Sequence, residues 1–367
     1  MQSNATTIRS GLLAAVAAHV LWGVFPIFWK QLDGFDALQT VCHRVIWSFL
    51  FLLPIAVPWL RSNLRAAPLG TQAFRDKPQT SAPYKWPQIL AGCAVAAFFI
   101  GLNWLIFIWA VNHDRVLQTS LGYYINPLLN VLLGVLFLGE RLTRLQWSAV
   151  GLATLGVAVM TYSLGGLPWV SLALAGCFAL YGFVKKQSPL PALVGLWFEM
   201  LVLIVPAVAY LVFAELTQGG AFTSGNLRLN FWLLLGGTVT IAPLGFFAYA
   251  AQRVPLSLLG VLQYIGPTMQ FLTGVFLFGE RVGVMEMFGF LLVWAACLIY
   301  LKSIGQEVAR ERVNVSPRPS DGLTPSSVMQ ERIAAADIRS DDLLPMDHDR
   351  LQNTLAASDQ SADEPST

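Results

Sequence analysis

Charged residues are scarce in this sequence, and their scarcity excludes most soluble folds. Only 12% of the 367 residues are Asp, Glu, Lys or Arg, whereas 55% are hydrophobic and the mean hydropathy is +0.59. A soluble domain of ordinary composition carries roughly 25% charged residues. The sequence therefore predicts a protein that meets lipid over much of its length.

Motifs for metal, redox and nucleotide chemistry are missing as well. None of the four cysteines has the paired spacing of a zinc or thiol–disulfide site, and each lies inside an apolar run: Cys42, Cys93, Cys177 and Cys297. The sequence contains no glycine-rich phosphate loop before a Lys, no cluster of metal-ligand residues and no nucleophile elbow. We therefore expect no cofactor, no metal site, no enzymatic activity and no ATP-driven transport by this chain alone.

The net charge of +2 combines two regions of opposite sign. Up to residue 303 there are 17 basic and 9 acidic residues, whereas residues 304–367 contain 6 basic and 12 acidic ones. The basic region coincides with the apolar runs, so we interpret its charge as membrane topology and not as a nucleic-acid-binding surface. Residues 304–367 are rich in Pro, Ser and Asp, which predicts a disordered acidic cytoplasmic tail.

Ten apolar runs are long enough to cross a bilayer, at about 20 residues per helix. The predicted fold is therefore an all-α integral membrane protein with ten transmembrane helices. The runs lie at 11–29, 37–60, 88–111, 117–139, 146–163, 167–184, 192–213, 230–250, 257–278 and 284–302. The loop 61–87 holds five basic residues against one acid, which places it in the cytoplasm together with both termini. We expect a multi-pass protein of the cytoplasmic membrane.

One apolar stretch of eighteen residues occurs twice, as 124–141 and 264–281, with a constant offset of 140. Nine of the eighteen positions are identical, including one internal Pro and the closing Gly-Glu-Arg. Five predicted helices precede residue 165 and five follow it, so the two halves enter the membrane in opposite orientations. The sequence thus predicts a 5+5 inverted-topology repeat with halves 1–165 and 166–303, a plan typical of transporters.

Several motifs in a fixed order carry a family resemblance. They are His43-Arg44-Val-Ile-Trp-Ser48, Asn103-Trp104, Ser120-Leu-Gly-Tyr123, Ile125-Asn-Pro127, Gly-Glu-Arg at 139–141 and Gln263-Tyr-Ile-Gly-Pro-Thr268. The chain resembles the EamA-type branch of the drug/metabolite transporter superfamily, and within it the RarD-type permeases, named for chloramphenicol sensitivity. The resemblance covers roughly residues 10–303. It implies a ten-helix 5+5 fold and membrane transport of small molecules. It does not identify the substrate, and it assigns no role to the acidic tail.

Ionisable residues inside the predicted spans are the first candidates for function, because burying them is costly. Glu199 is the only acid placed well inside a span, and there it can alternate between neutral and anionic forms and couple transport to protons. His19, in the middle of the first span, is the second coupling candidate. The alternative for each is a packing residue held by a hydrogen bond or by a basic partner.

Arg44 and its neighbour His43 lie in the first third of the second span. A buried guanidinium needs an anionic partner or a wet cavity. We therefore predict either that Arg44 holds an anionic group of the substrate or that it pairs with Glu199. His43 is a candidate substrate-binding residue, with packing as the alternative.

The remaining candidates for the cavity are amides and aromatic residues. Asn126 and Asn130 share one helix face, and Gly266 and Gln270 are their counterparts in the second copy. Amides also join membrane helices without lining a cavity, which is the alternative. The full set is Asn103, Trp104, Tyr124, Asn126, Asn130, Gln263, Tyr264 and Gln270.

Each copy of the repeated stretch has one proline inside it, Pro127 and Pro267. A proline removes a backbone donor and frees a carbonyl one turn earlier. The duplication favours a shared role as hinges, with static kinks as the alternative.

These patterns favour a secondary transporter that binds a small organic solute between its halves and opens alternately to each side. Coupling to protons and facilitated diffusion are both left open. A membrane enzyme would need several acids, bases or metal ligands at one depth. A second alternative is a non-transporting scaffold whose acidic tail recruits a partner. The predicted partners are a small-molecule substrate and bilayer lipid, and the choice between a monomer and a homodimer is open.

Overall fold

The computed structural model describes residues 2–32, 34–66, 86–113, 115–163, 169–217, 220, 225–277, 279 and 283–315. All regular structure in these residues is helical. The first six helices are α1 (Gln2–Gly23), α2 (Phe25–Trp29), α3 (Ala37–Ala66), α4 (Trp86–Asn112), α5 (Val116–Leu138) and α6 (Arg144–Ser163). The next six are α7 (Trp169–Gln187), α8 (Ala192–Thr217), α9 (Leu227–Ala251), α10 (Leu256–Gln263), α11 (Ile265–Leu272) and α12 (Val284–Val315).

Nine helical segments of the described chain are long and apolar enough to span a membrane. They match nine of the ten predicted spans, because length and hydropathy alone identify such segments. The first of them, Thr6–Leu32, contains α1 from Thr6 onward, all of α2 and a short 3₁₀ turn at Lys30–Leu32. The protein is therefore an all-helical, multi-pass membrane protein.

The predicted single helix over 257–278 is wrong, because the chain divides there into three pieces. Helix α10 ends at Gln263, α11 begins at Ile265, and a π-helical turn follows at Thr273–Leu277. Pro267 has no N–H to offer the carbonyl of Gln263 one turn earlier, so one helical hydrogen bond is lost at this point. Helix α5 holds the equivalent Pro127 and runs unbroken from Val116 to Leu138.

A similar break separates α1 from α2. Pro26 cannot donate to the carbonyl of Trp22 one turn earlier. Gln270 of α11 supplies the missing donor, and its Nε2 lies 3.1 Å from the Trp22 oxygen. This hydrogen bond connects Gln270, in the second copy of the repeated stretch, to the point where the first span is interrupted between α1 and α2.

Glycine permits the close crossing of α3 and α9. A Cβ on Gly237 would lie 2.5 Å from the Cβ of Trp47 and 3.0 Å from the backbone nitrogen of Ser48. The Ser48 hydroxyl donates to the Gly237 carbonyl at 3.2 Å. Only a residue without a side chain fits this crossing.

The first Gly-Glu-Arg motif connects α5 to α10. Gly139 ends α5 in the left-handed conformation, with φ of 66°. The carboxylate of Glu140 then accepts hydrogen bonds from the backbone nitrogens of Leu256, at 2.6 Å, and Ser257, at 2.9 Å. A carboxylate at a helix N-terminus satisfies donors that the helix leaves free and opposes its dipole. The corresponding Glu280 and Arg281 lie outside the described residues.

Helix α12 continues past the predicted start of the tail at residue 304 and ends at Val315. An apolar helix can continue into polar sequence when no proline stops it, and Pro317 is the first proline after Val284. The rest of the predicted tail, residues 316–367, lies outside the described part of the chain.

Candidate functional site

A cavity of about 360 Å³ lies among the helices, with lining residues from α1 to α5, α7 and α9 to α11. Aromatic rings make up much of its wall: Trp22, Phe25, Trp29, Trp104, Phe107, Tyr123 and Phe178. Its polar residues are His19, Arg44, Asn103, Thr119, Ser120, Asn126, Thr240, Gln263 and Gln270. A concave site with apolar walls and a few convergent polar groups is the usual form of a small-molecule site.

Arg44 carries a positive charge at this cavity. Its Nε donates to the Thr240 hydroxyl at 2.8 Å, and that hydroxyl in turn donates to the Gly236 carbonyl at 2.7 Å. The guanidinium carbon lies 4.8 Å from the ring centroid of Trp29 and 5.0 Å from that of Trp104. Such cation–π contacts with Trp stabilise a desolvated guanidinium. No acidic side chain of the described residues pairs with Arg44.

The alternative in which Arg44 pairs with Glu199 is wrong. Glu199 of α8 forms an ion pair with Lys185 of α7, with 2.5 Å between Oε1 and Nζ and both side chains 1% exposed. Tyr181 donates to the other carboxylate oxygen at 3.2 Å. Lys185 lies just beyond the predicted span 167–184, but α7 continues to Gln187 and places Lys185 against Glu199. This pair does not line the cavity.

His19 lies at the cavity in a defined tautomer. Its Nδ1 is 2.6 Å from the carbonyl of Ala15. A carbonyl can only accept, so Nδ1 carries the hydrogen and Nε2 of the neutral ring is an acceptor. Nε2 has no hydrogen-bond partner among the described residues, although the side chain is only 3% exposed.

Two amides of the first copy of the repeated stretch meet Gln263, the residue just before the second copy. Gln263 Oε1 accepts from Asn130 Nδ2 at 2.6 Å and from Asn126 Nδ2 at 3.4 Å. The Oδ1 atoms of Asn126 and Asn130 are left without a partner in the described chain. Beside them, the Tyr264 hydroxyl donates to the Tyr124 carbonyl at 3.2 Å. The first copy of the stretch therefore contacts Gln263, the residue before the second copy, and Tyr264, the residue that begins it.

The cavity brings together eight of the fourteen residues singled out from the sequence: His19, Arg44, Asn103, Trp104, Asn126, Gln263, Pro267 and Gln270. Two of these are also engaged with backbone carbonyls, since Asn103 Nδ2 donates to Leu174 at 2.9 Å and Gln270 to Trp22. The other six do not line it: His43, Tyr124, Pro127, Asn130, Glu199 and Tyr264.

Sequence reasoning missed several lining residues, notably Trp22, Trp29, Phe178 and Thr240. Trp22 carried one usable signal, because Pro26 follows it by four residues as Pro267 follows Gln263. Trp29 and Thr240 carried none, since their role depends on which helix lies opposite.

Comparison with known proteins assigns the family. The EamA-like transporter family matches residues 9–162. The chain is 39% identical over 294 residues to "Uncharacterized transporter YojE" of Bacillus subtilis, covering 80% of this chain and 93% of that protein. It is 40% identical over 301 residues to "Protein RarD" of Escherichia coli, covering 81% and 96%. The chain belongs to the EamA-like transporter family and is of the RarD type.

Two further similarities are consistent with this EamA-family assignment. The "Chloramphenicol-sensitive protein RarD" of Pseudomonas aeruginosa is 35% identical over 294 residues, with 79% of this chain and 92% of that protein covered. A solved crystal structure with 16% sequence identity aligns over 79% of this chain and 97% of its own, with a TM-score of 0.56. At that identity the structural likeness concerns the fold alone.

Proposed function

We propose that this EamA-family protein is a secondary transporter that carries a small organic solute across the cytoplasmic membrane by alternating access. The observation that carries the proposal is the cavity, which combines aromatic walls with buried polar groups lacking partners and draws on both copies of the repeated stretch. Binding sites of secondary transporters lie between repeated halves in this manner.

The pairing of the helices supports the proposed 5+5 inverted repeat, with halves 1–165 and 166–303. Helix α1 packs on α9 as α7 packs on α4, and α5 packs on α7 as α11 packs on α1. The counterparts α3 and α8 pack on each other, as do α5 and α10. Reciprocal pairs of this kind are expected when a pseudo-two-fold axis relates two halves. Alternating access then consists of one half rocking against the other, with Pro127 and Pro267 as the proposed hinges.

Proton coupling is part of the proposal, with Glu199 and His19 as the candidate groups. His19 supports it by its position, because its ring lines the cavity and its Nε2 has no partner among the described residues, which leaves that nitrogen able to take up a proton. Glu199 supports it by its burial, although Lys185 holds it away from the cavity.

We propose that both termini and the 61–87 loop lie in the cytoplasm, on the basis of the Lys and Arg bias. In a background without native cysteines, Ser81→Cys and Ser326→Cys are expected to react with an impermeant thiol reagent only after the cells are permeabilised. Labelling of either position in intact cells would contradict this orientation.

The proposed function is tested by uptake into reconstituted vesicles. We expect at least one solute among amino acids, aromatic metabolites and amphenicols to enter protein-containing vesicles faster than empty ones, and a pH gradient to change its accumulation. Amphenicols are included because the Pseudomonas relative is named for chloramphenicol sensitivity. A truncated chain ending at Val315 should transport like the full chain, whereas a scaffold acting through its acidic tail would lose its function. Uptake no faster than in empty vesicles for every solute would refute the transporter proposal.

A further inference from the structure

The cavity contains a positive charge that no described acidic side chain balances. Among the described residues the recorded ion pair joins Lys185 to Glu199 and leaves Arg44 without a counter-ion. The Thr240 hydroxyl accepts a hydrogen bond from Arg44 Nε, and the rings of Trp29 and Trp104 lie near the guanidinium carbon. No described residue accepts a hydrogen bond from the two terminal nitrogens, Nη1 and Nη2. Since a charge away from bulk water is costly without a partner, an anionic ligand would compensate it.

The surroundings of Arg44 hold it in one orientation. A Cβ on Gly236 would lie 3.2 Å from Arg44 Cγ, so glycine at this position leaves room for the side chain to pass α9. Thr240, one turn further along α9, then receives Nε at 2.8 Å. A guanidinium fixed at Nε presents its planar fork, which matches the two oxygens of a carboxylate.

Two side chains that line the same cavity each have one buried acceptor atom without a hydrogen-bond partner among the described residues, which favours a ligand that carries a donor. His19 Nε2 and Asn126 Oδ1 have no partner in the described chain, and the two side chains are 3% and 6% exposed. The opposite ends of both groups are engaged, by Ala15 and by Gln263. A buried acceptor without a donor is unfavourable, so a ligand hydroxyl or amine would be bound here in preference to a bare hydrocarbon.

We propose that the solute is an aromatic organic acid: a planar apolar body against the aromatic walls, a carboxylate held by Arg44, and a hydrogen-bond donor facing His19 and Asn126. The claim that this acid is the transported substrate rests on the proposed transport function. The claim that the protein binds such an acid rests on the cavity alone.

The test is equilibrium titration of the purified full chain in detergent with three related probes. The probes are 3-phenyllactate, its neutral amide 3-phenyllactamide, and 3-phenylpropanoate, which lacks the hydroxyl. A charge-assisted or buried hydrogen bond corresponds to roughly tenfold in affinity. We expect the unsubstituted protein to bind 3-phenyllactate about tenfold more tightly than either of the other two.

Substitutions at the two subsites separate the contributions. Arg44→Gln should abolish the preference for the acid over the amide, and His19→Phe should lower only the preference for the hydroxyl, because Asn126 keeps its acceptor. Arg253→Gln is the matched control, because Arg253 packs on the ring of Tyr249 outside the cavity and its loss removes the same charge. It should leave all three affinities unchanged. If Arg44→Gln does not give folded protein, Thr240→Val tests the orientation of Arg44 and should lower the preference for the acid several-fold.

Three results would overturn the proposal. They are equal affinity of the unsubstituted protein for the acid and the amide, no binding of any probe, and a preference for the acid that survives in Arg44→Gln. Because titration needs no transport, 3-phenyllactate that binds but never enters vesicles would contradict the transport proposal and leave the anion site intact. Conversely, uptake of another solute that 3-phenyllactate does not inhibit would leave transport intact and contradict the anion site.

Discussion

Glu199→Gln is expected to destabilise the protein by about 3–5 kcal/mol, because it leaves the charge of Lys185 buried without a partner. The two side chains are 1% exposed and 2.5 Å apart, so neither can reach water while the helices stay packed. The loss should appear as a lower unfolding midpoint in detergent and a lower yield in membranes. A destabilisation below about 1 kcal/mol would show that water reaches Lys185.

The matched control removes both charges at once. Lys185→Met combined with Glu199→Gln replaces the ion pair by neutral groups of similar length, and such replacements are often neutral in stability or favourable. The double variant should therefore unfold close to the midpoint of the unsubstituted protein. A double variant as unstable as Glu199→Gln alone would mean that the carboxylate acts through Tyr181 and not through Lys185.

The double variant is also the right protein in which to test coupling. Glu199→Gln alone has two effects that cannot be separated: it removes a candidate proton site, and it destabilises the protein by leaving Lys185 without a partner. If Glu199 couples protons, the stable double variant should exchange solute across the vesicle membrane and fail to concentrate it under a pH gradient. Accumulation equal to that of the unsubstituted protein would make Glu199 a packing residue and leave His19, which lies at the cavity, as the candidate.

The sequence predicted best what depends on local pattern. Apolar length and hydropathy located nine of the ten spans in the described chain, and the amides Asn126, Gln263 and Gln270, chosen as cavity candidates, do line the cavity.

What the sequence could not give depends on which helix lies opposite. Glu199 is fourteen positions from Lys185, a distance set by the turn between α7 and α8 and not by any helical period. Thr240 and Trp29 reach Arg44 only because α9 and the end of the first span pack beside α3. A polar residue in an apolar run indicates that a polar partner lies opposite it, but the sequence does not show which residue that partner is.

The two prolines show a further limit, because the same residue at equivalent positions of the two copies lies in different local structure. Pro127 lies within an unbroken α5, whereas the chain breaks at Tyr264, three residues before Pro267. Gly266 precedes Pro267 where Asn126 precedes Pro127. Glycine is a weaker helix former than asparagine, so the break at the second copy is less opposed by the neighbouring residues.

Pro267→Ala is therefore expected to slow turnover by about tenfold, equivalent to roughly 1.4 kcal/mol on the rate-limiting barrier. Alanine restores a donor for the carbonyl of Gln263 and favours fusion of α10 with α11. Such fusion would move Gln263, which lines the cavity and accepts from Asn126 and Asn130. The rate is measured as solute exchange in vesicles, beside the unfolding midpoint, which should stay level or rise because a helical hydrogen bond is gained.

Pro127→Ala should slow exchange as well, but less, because α5 is already continuous there. Pro206→Ala is the matched control, since Pro206 is an exposed proline inside α8 that does not line the cavity. It should exchange solute at the rate of the unsubstituted protein. A Pro267→Ala variant that also does so would make the break at Tyr264 a static kink. Equal slowing by all three substitutions would mean that helix stiffness in general, and not a hinge in the repeated stretch, limits the rate.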